Sequence, residues 1–322
     1  MFVFRPQADI RRVGYNLAGI DLKPKLVTSI PSEKFSSVAV STLLLTLVAM
    51  LAFAANSLLC RLALGQELID AASFATVRVI SGAAVLIVIV LPRWRVRGRT
   101  STDWRSAAML FTYMVFFSFA YLSLSAGTGA LILFGAVQLT MFIAALRGGE
   151  HFRLLSWAGL TLALLGLVYL VSPGLTAPDP MGAGLMAIAG IAWGFYSLLG
   201  RNAGDPLEAT ANNFIYSVPL VIIVSLLFIG EFHSSPTGLV LAAISGAITS
   251  GLGYVIWYSA LRGLMAAHAA TVQLSVPAIA AFGGVVFLSE QITLRLLMAS
   301  IATLGGVWIV LAQRAKRPAN LT

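Results

Sequence analysis

Charged residues and cysteine are scarce in this chain. Only 10% of its 322 residues are Asp, Glu, Lys or Arg, against about 25% in a typical soluble domain. The one cysteine, Cys60, excludes an internal disulfide, and three histidines beside it form no cluster spaced for a structural metal. We therefore expect no metal, no cofactor and no redox chemistry.

Apolar residues are abundant instead. They make up 59% of the chain, and the mean hydropathy is +0.92. A run of about 20 apolar residues is long enough to cross a hydrocarbon core as a helix, and unbroken apolar runs exclude a β-barrel, whose strands alternate in polarity. The sequence predicts an all-α integral membrane protein with ten transmembrane helices. The spans are residues 38–60, 72–91, 105–126, 129–146, 154–171, 181–201, 209–230, 237–261, 264–288 and 292–312.

The segments outside these spans are short except at the start. The first 36 residues are polar and basic, and the first apolar span begins too late and runs too long for a signal peptide. The connections between spans are only a few residues, and we expect two of them at Gly127 to Thr128 and at Gly263. No sizeable soluble domain interrupts the membrane part.

The cations predict the orientation of the chain. With both termini in the cytoplasm, 18 of the 21 Lys and Arg residues fall on the cytoplasmic side, and only Arg61 and Arg295 fall outside. Arg78 lies within the second span. The net charge of +9 thus reflects the topology of a multi-pass membrane protein, with attraction to anionic lipid as a side effect, and nucleic-acid binding is a poor explanation for cations divided among short loops.

The chain also repeats itself. Residues 52–61, which end in Ser-Leu-Leu-Cys-Arg, recur as residues 192–201, which end in Ser-Leu-Leu-Gly-Arg, and Glu150 recurs as Glu290. Because each half has five spans, an odd number, the halves would be inverted about an axis in the membrane plane, an arrangement that supports alternating access. We predict a basic tail (1–36), a first repeat (37–172), a linker (173–180), a second repeat (181–313) and a basic C-terminal tail (314–322).

The ends of both halves resemble the EamA repeat of the drug/metabolite transporter superfamily. In the second half the resemblance rests on Val276-Pro277-Ala278, Phe287-Leu288-Ser289-Glu290 and Leu304-Gly305-Gly306-Val307, and in the first on Gly148-Gly149-Glu150 with Leu165-Gly166-Leu167. It covers residues 38–313. The resemblance implies an inner-membrane exporter of amino acids or other small metabolites. The first half lacks a counterpart of Pro277, so the two halves are expected to bend unequally.

The substrate site must come from polar and aromatic side chains at membrane depth, because an unpartnered polar group is costly in hydrocarbon. The wider set is Asn56, Arg78, Tyr113, Tyr121, Gln138, Trp193, Tyr196, Asn212, Asn213, Tyr216, Tyr254, Trp257, Tyr258, His268 and Gln273. From it we select nine substrate-binding candidates. They are Asn56, Arg78, Gln138, Trp193, Tyr196, Tyr254, Trp257, His268 and Gln273.

Each candidate has an alternative explanation. Gln138 and Gln273 occupy equivalent positions in the two halves and either meet at the substrate or bond neighbouring helices. Arg78 either binds a substrate carboxylate through a bidentate hydrogen bond or reaches water and loop carbonyls at the start of its helix. His268 either titrates during transport or lines the cytoplasmic end. The aromatic residues either stack on the substrate or pack between helices.

No acidic residue lies in the middle of a span, so the sequence favours facilitated transport or exchange over tight coupling to protons or sodium. Two other classes remain open. A membrane enzyme acting on lipid-linked substrates would need a cluster of acids or histidines, for which Glu150-His151 is the nearest approach, and a solute channel would conduct without saturation. We expect a monomer or a weak dimer that binds a small solute and lipid.

Overall fold

The protein is a helical bundle in the computed structural model, which describes residues 32–98, 103–149, 152–200, 205–261, 264 and 271–315. Within these ranges no strand forms, and the one isolated β-bridge joins Ile69 to Ser234. Nine helices of the described part are long and apolar enough to cross a membrane. The prediction of an all-α membrane protein is therefore confirmed.

Each of the ten apolar spans overlaps a helix in the described part of the chain, although the start of the span 264–288 and the connection expected at Gly263 lie outside the described residues. They are α1 (Ser32–Gly65), α2 (Ala71–Arg97), α3 (Trp104–Ala120), α4 (Ala126–Arg147), α5 (Leu154–Val171), α6 (Pro180–Gly200), α7 (Pro206–Leu227), α8, α9 (Ser275–Leu288) and α10 (Leu294–Ala315). The helix α8 changes its winding along its length. It comprises an α-helical part (Pro236–Ile244), a π-helical part (Ser245–Leu252) and a second α-helical part (Gly253–Leu261). With 17 residues, α3 is the short member of the set.

Side-chain caps explain where several helices begin. The Asp70 carboxylate accepts a hydrogen bond from the Ser73 N–H at the start of α2, and Asp205 does the same for α7. Proline follows the capping residue at α6, α7 and α8, where the fixed φ of proline suits the first turn and its missing N–H costs nothing. The polar residues between the apolar runs thus fix the points at which these helices begin.

The connection between α3 and α4 lies earlier than the sequence suggested. It comprises residues 121–125, and both Gly127 and Thr128 belong to α4. The physical reason is that Ser125 acts as the N-cap, with its side chain accepting from the Thr128 N–H. Gly127 serves close packing instead, because a methyl group there would overlap Ala281 of α9.

Contacts between connections show that the helices alternate in direction. The connection after α1 bonds the connection after α7 through Asp70 and His233, and the connection after α3 bonds that after α5 through Ser123 and Asp179. Arg295 at the start of α10 bonds backbone carbonyls at the end of α5. All five of these connections therefore lie at one end of the bundle, here called the Arg61 end because it contains Arg61. Arg93 and Asp205 pair at the opposite end.

The helices pack in a small set of pairs. The principal ones are α5 with α10, α3 with α6, α4 with α6, α2 with α7, α1 with α8, α1 with α9, α4 with α9, α2 with α8, and α3 with α7. Small residues allow the closest approach, as where a methyl group on Gly159 of α5 would meet the Gly306 carbonyl of α10. Many large apolar side chains on the outer faces are exposed, which suits contact with lipid. Examples are Leu43, Val88, Leu165, Phe282 and Ile301.

Candidate functional site

A cavity lies inside the bundle, near the middle of the helices that surround it. The centre of a water molecule can occupy about 20 Å³ of it. That is room for roughly one or two waters, so the bundle must open before a larger solute fits. Five helices supply the lining. The residues are Phe53, Asn56 and Ser57 of α1, Tyr113 and Phe117 of α3, Leu133 and Phe134 of α4, Trp193 of α6, and Thr249, Ser250 and Tyr254 of α8.

The π-helical part of α8 supplies the polar wall of the cavity. Ser245 Oγ donates to Asn56 Oδ1 at 2.6 Å. Thr249 Oγ1 lies 3.2 Å from the same oxygen and shares its one proton between it and the Ser245 carbonyl oxygen, at 2.8 Å. Widened turns of this kind occur often at functional sites because they re-aim side chains within a continuous helix. Here the turn holds the Asn56 amide of α1 by two hydroxyl groups of α8.

The Asn56 amide continues the polar network into α3. Asn56 Nδ2 donates to Tyr113 Oη at 3.4 Å, and Arg78 Nη2 donates to the same hydroxyl at 3.0 Å. The network therefore crosses four helices, from Ser245 and Thr249 of α8 through α1 and α3 to α2. Apart from Arg78, every member is neutral, so the cavity offers hydrogen bonds without an acid of its own.

Arg78 is the most unusual residue of this region. Its side chain is completely buried, so it does not reach water at the start of α2. Arg78 Nε donates to Ser250 Oγ at 3.3 Å, and the guanidinium lies 4.8 Å from the Phe117 ring centroid and 5.4 Å from that of Tyr113. Nη1 has no hydrogen-bond partner, and no ion pair joins Arg78 to a carboxylate within the described ranges. Of its two explanations, the one that invoked water and loop carbonyls is wrong.

Aromatic rings form the other wall of the cavity. The Trp193 ring centroid lies 4.8 Å from that of Tyr113, 5.3 Å from that of Tyr254 and 5.4 Å from that of Tyr196. Phe53 meets Tyr254 and Trp257 edge to face, at 6.0 and 5.8 Å. Trp193 thus occupies the centre of a cluster drawn from both halves of the chain.

The structure brings together six of the nine candidate residues. Asn56, Trp193 and Tyr254 line the cavity, whereas Arg78, Tyr196 and Trp257 contact lining residues from behind. Gln138 of α4 and Gln273, just before α9, are not among the lining residues. His268 lies outside the described residues.

Sequence reasoning did not select several lining residues, among them Ser57, Thr249 and Ser250. The hydroxyl residues Ser245, Thr249 and Ser250 do stand together in an otherwise apolar span, and that grouping is the signal that could have found them. Phe53, Phe117, Leu133 and Phe134 carry no such signal because apolar residues are common in every span.

A second polar cluster closes the Arg61 end of the bundle. Arg61 Nε donates to Glu290 Oε1 at 3.3 Å, and Arg61 Nη1 donates to the carbonyl oxygens of Tyr121 and Leu122 at 3.1 and 3.2 Å. The two Glu290 carboxylate oxygens accept from the Ala126 N–H at 3.1 and 3.0 Å. The arrangement joins α1, the connection between α3 and α4, and the end of α9. We call it the Arg61–Glu290 clasp.

Comparisons with known proteins agree with this architecture. Residues 180–312 match the model of the EamA-like transporter family. The uncharacterized protein PA1977 of Pseudomonas aeruginosa is 50% identical over 279 residues, which cover 87% of this chain and 97% of that protein. An "uncharacterized transporter" of Archaeoglobus fulgidus is 24% identical over 208 residues, covering 63% of this chain and 74% of that protein.

A solved crystal structure has the same fold. It superimposes with a TM-score of 0.62 at 19% identity, covering 86% of this chain and 99% of that one. The chain belongs to the EamA-like transporter family. It is a multi-pass membrane protein and a membrane transporter.

Proposed function

We propose that this protein exports amino acids or related small metabolites across the inner membrane by alternating access. The cavity inside the bundle is the observation that carries this proposal, because its lining combines aromatic rings with neutral hydrogen-bonding groups at mid-helix depth. Such a lining suits a zwitterion whose side chain is apolar or flat: Asn56 and the hydroxyl groups bond its polar end and the Trp193 cluster contacts the remainder.

An inverted repeat is supported by the packing pairs. If every helix number is moved by five, α3–α6 becomes α8–α1, α4–α6 becomes α9–α1, and α3–α7 becomes α8–α2. The pairs α2–α7, α4–α9 and α5–α10 map onto themselves. This is the pattern expected of two repeats related by a twofold axis, with boundaries near 37–172 and 181–313. Because each repeat would hold five helices of alternating direction, an odd number, that axis would lie in the membrane plane. The axis would make two packings available, one open to each side.

The positive-inside rule would place the Arg61 end outside the cell and both termini in the cytoplasm. In that orientation the Arg61–Glu290 clasp closes the outer end of the bundle. The transport cycle would then include the release of this clasp, followed by solute loss to the outside. Because no acid lies at mid-helix in the described part of the chain, the driving force we propose is the gradient of the solute itself or exchange.

Transport in liposomes tests the proposal. The purified protein is reconstituted, a panel of radiolabelled amino acids is loaded inside, and efflux is followed without any pH or sodium gradient. We expect efflux down the solute gradient that saturates with concentration, since each cycle moves the two halves around one site. Flux that never saturates would indicate a channel. Absence of flux for every solute, or strict dependence on a pH gradient, would contradict the mechanism.

A pair of variants on α6 connects the flux to the cavity. Trp193→Ala removes the central ring, so selectivity between aromatic and small amino acids should change by roughly tenfold. Phe195→Ala is the matched control, because that side chain is 43% exposed on the outer face of the same helix. Equal effects of the two substitutions would mean that the cavity is not the route.

A further inference from the structure

Arg78 carries a positive charge that the described part of the protein leaves without an acid. Two of its three guanidinium nitrogens bond neutral hydroxyl groups, on Tyr113 and Ser250, and Nη1 has no hydrogen-bond partner among the residues that the structure describes. A guanidinium cannot lose its charge in a protein. Burying it without a counter-ion is costly, and hydroxyl groups and ring faces offset only part of that cost.

The position of this charge relates it to the cavity. Tyr113, Phe117 and Ser250 all line the cavity, and each of them also contacts the guanidinium. The Tyr113 and Phe117 rings and the Ser250 hydroxyl therefore separate the guanidinium from the cavity by the thickness of one side chain.

We propose that Arg78 is the carboxylate-recognition group of the cavity, so that the protein selects small solutes that carry a free carboxylate. A planar guanidinium binds a carboxylate through two parallel hydrogen bonds, and Nη1 and Nη2 offer such a pair of donors once Nη2 is released. The incoming carboxylate replaces the Tyr113 hydroxyl as the acceptor for Nη2 and takes the unused Nη1 as well. The charge of Arg78 is then neutralised by the solute.

Binding of this kind also moves the polar network. Tyr113 Oη accepts from both Arg78 and Asn56, and Asn56 in turn accepts from Ser245 and Thr249 of the π-helical part of α8. When Tyr113 leaves Arg78, its ring, which packs on Trp193, must move with it. The carboxylate thereby acts on α3, α1 and α8 together, which is the set of helices that an opening of the cavity would separate.

The inference rests on the proposed function, since it names the solute class of that same cavity. A binding experiment tests it directly. The full-length protein in nanodiscs is titrated with L-phenylalanine, with L-phenylalaninamide and with inorganic phosphate, and binding is followed by tryptophan fluorescence and by the thermal unfolding temperature. We expect the amide to bind roughly ten- to a hundredfold more weakly than the acid, because a charge-assisted pair of hydrogen bonds is lost. Phosphate should not compete.

Variants assign that preference to Arg78. Arg78→Gln should bind acid and amide alike, and Arg78→Lys should retain a reduced preference for the acid. Arg93→Gln is the matched control, since Arg93 lies on the same helix but pairs with Asp205 at the end of the bundle. If Arg78→Gln does not fold, Tyr113→Phe decides: without the competing hydroxyl, the acid should bind at least as tightly as in the unmodified protein.

Three outcomes would overturn the inference. They are equal binding of acid and amide by the unmodified protein, a preference that survives in Arg78→Gln, and competition by phosphate as strong as that by the acid. The liposome assay separates this failure from failure of the proposed function. If acids and amides cross equally well, transport stands and the role of Arg78 falls. If acids bind through Arg78 but no solute crosses, the role of Arg78 stands and transport falls.

Discussion

Arg61 and Arg78 lie on consecutive helices of one bundle, and their side chains have different kinds of partner. Arg61 is near the end of α1, its side chain is 26% exposed, and it has a carboxylate partner in Glu290, whose side chain is 16% exposed. Arg78 is fully buried in α2, and its hydrogen-bond partners among the described residues are hydroxyl groups. The charge at the end of the bundle thus has a carboxylate counter-ion, whereas the charge in the interior has none among the described residues.

The difference assigns different roles to two residues of the same type. An ion pair near the surface can break and re-form, because water solvates both partners when they separate. A buried arginine has no water to return to, so its position is tolerated only where a ligand or a network compensates it. We infer that Arg61 controls access and that Arg78 controls which solute is accepted.

Packing around Arg78 gives the largest expected effect. A methyl group on Gly246 of α8 would overlap the backbone carbonyl of Arg78, which cannot move without shifting α2. Gly246→Ala should therefore lower the free energy of unfolding by about 1–3 kcal/mol and weaken solute binding. Thermal unfolding in detergent measures the first effect and the nanodisc titration measures the second.

Two further glycines provide the controls for this substitution. A methyl group on Gly65 would press on the Arg61 guanidinium at 2.9 Å, but that flexible side chain can move aside, so Gly65→Ala should cost less. A methyl group on Gly184 of α6 would meet no heavy atom within 4 Å among the described residues beyond its own stretch of helix, so Gly184→Ala should leave stability unchanged or raise it. A Gly246→Ala protein as stable as the Gly184→Ala protein would mean that α2 and α8 do not pack this closely.

The clasp at Arg61 should show an intermediate effect. Glu290→Gln keeps the shape of the side chain but removes the charge that faces Arg61, so local opening near Ala126 should become easier by roughly 1–2 kcal/mol. Hydrogen exchange of the backbone amides from Leu122 to Thr128 measures this opening. Glu231→Gln, at an exposed carboxylate of the same end, is the control and should leave exchange unchanged. Unaltered protection in Glu290→Gln would remove the clasp from the transport cycle.

The sequence was sufficient for the class of fold, an all-α membrane protein, because membrane helices are encoded locally. An apolar run of helix length allows few alternatives in lipid, and polar caps such as Asp70 and Asp205 mark where the runs start. The start of α4 was misjudged at Gly127, where a glycine suggested a turn. There the glycine allows close packing against α9, which depends on a helix more than 140 residues away along the chain.

The site was predictable only in part, for a related reason. Asn56, Trp193 and Tyr254 stand out because they are polar or amphipathic at membrane depth. Thr249 does not stand out, since its hydroxyl can bond the carbonyl of Ser245 within its own helix at 2.8 Å and needs no other partner. Whether Arg78 reaches water could not be decided from its position seven residues into α2, because the outcome depends on rings contributed by α3.

The ion pair between Arg93 and Asp205 should show the smallest effect, although it is the shorter of the two described pairs. Its nitrogen and oxygen lie 2.9 Å apart, against 3.3 Å for Arg61 and Glu290, but its side chains are 50% and 38% exposed. Water competes for exposed charges and salt screens them, so the coupling should be about 0–1 kcal/mol and should shrink as salt is added.

A double-mutant cycle with Arg93→Gln and Asp205→Asn measures this coupling, and asparagine preserves the capping of α7. The same cycle at Arg61→Gln and Glu290→Gln provides the comparison. We expect the coupling at Arg61 to be larger and less sensitive to salt, because partial burial counts for more than a few tenths of an ångström in the distance between the charges. If the Arg93 pair proved the stronger, the clasp would lose its energetic basis, and control of access would have to come from helix packing alone.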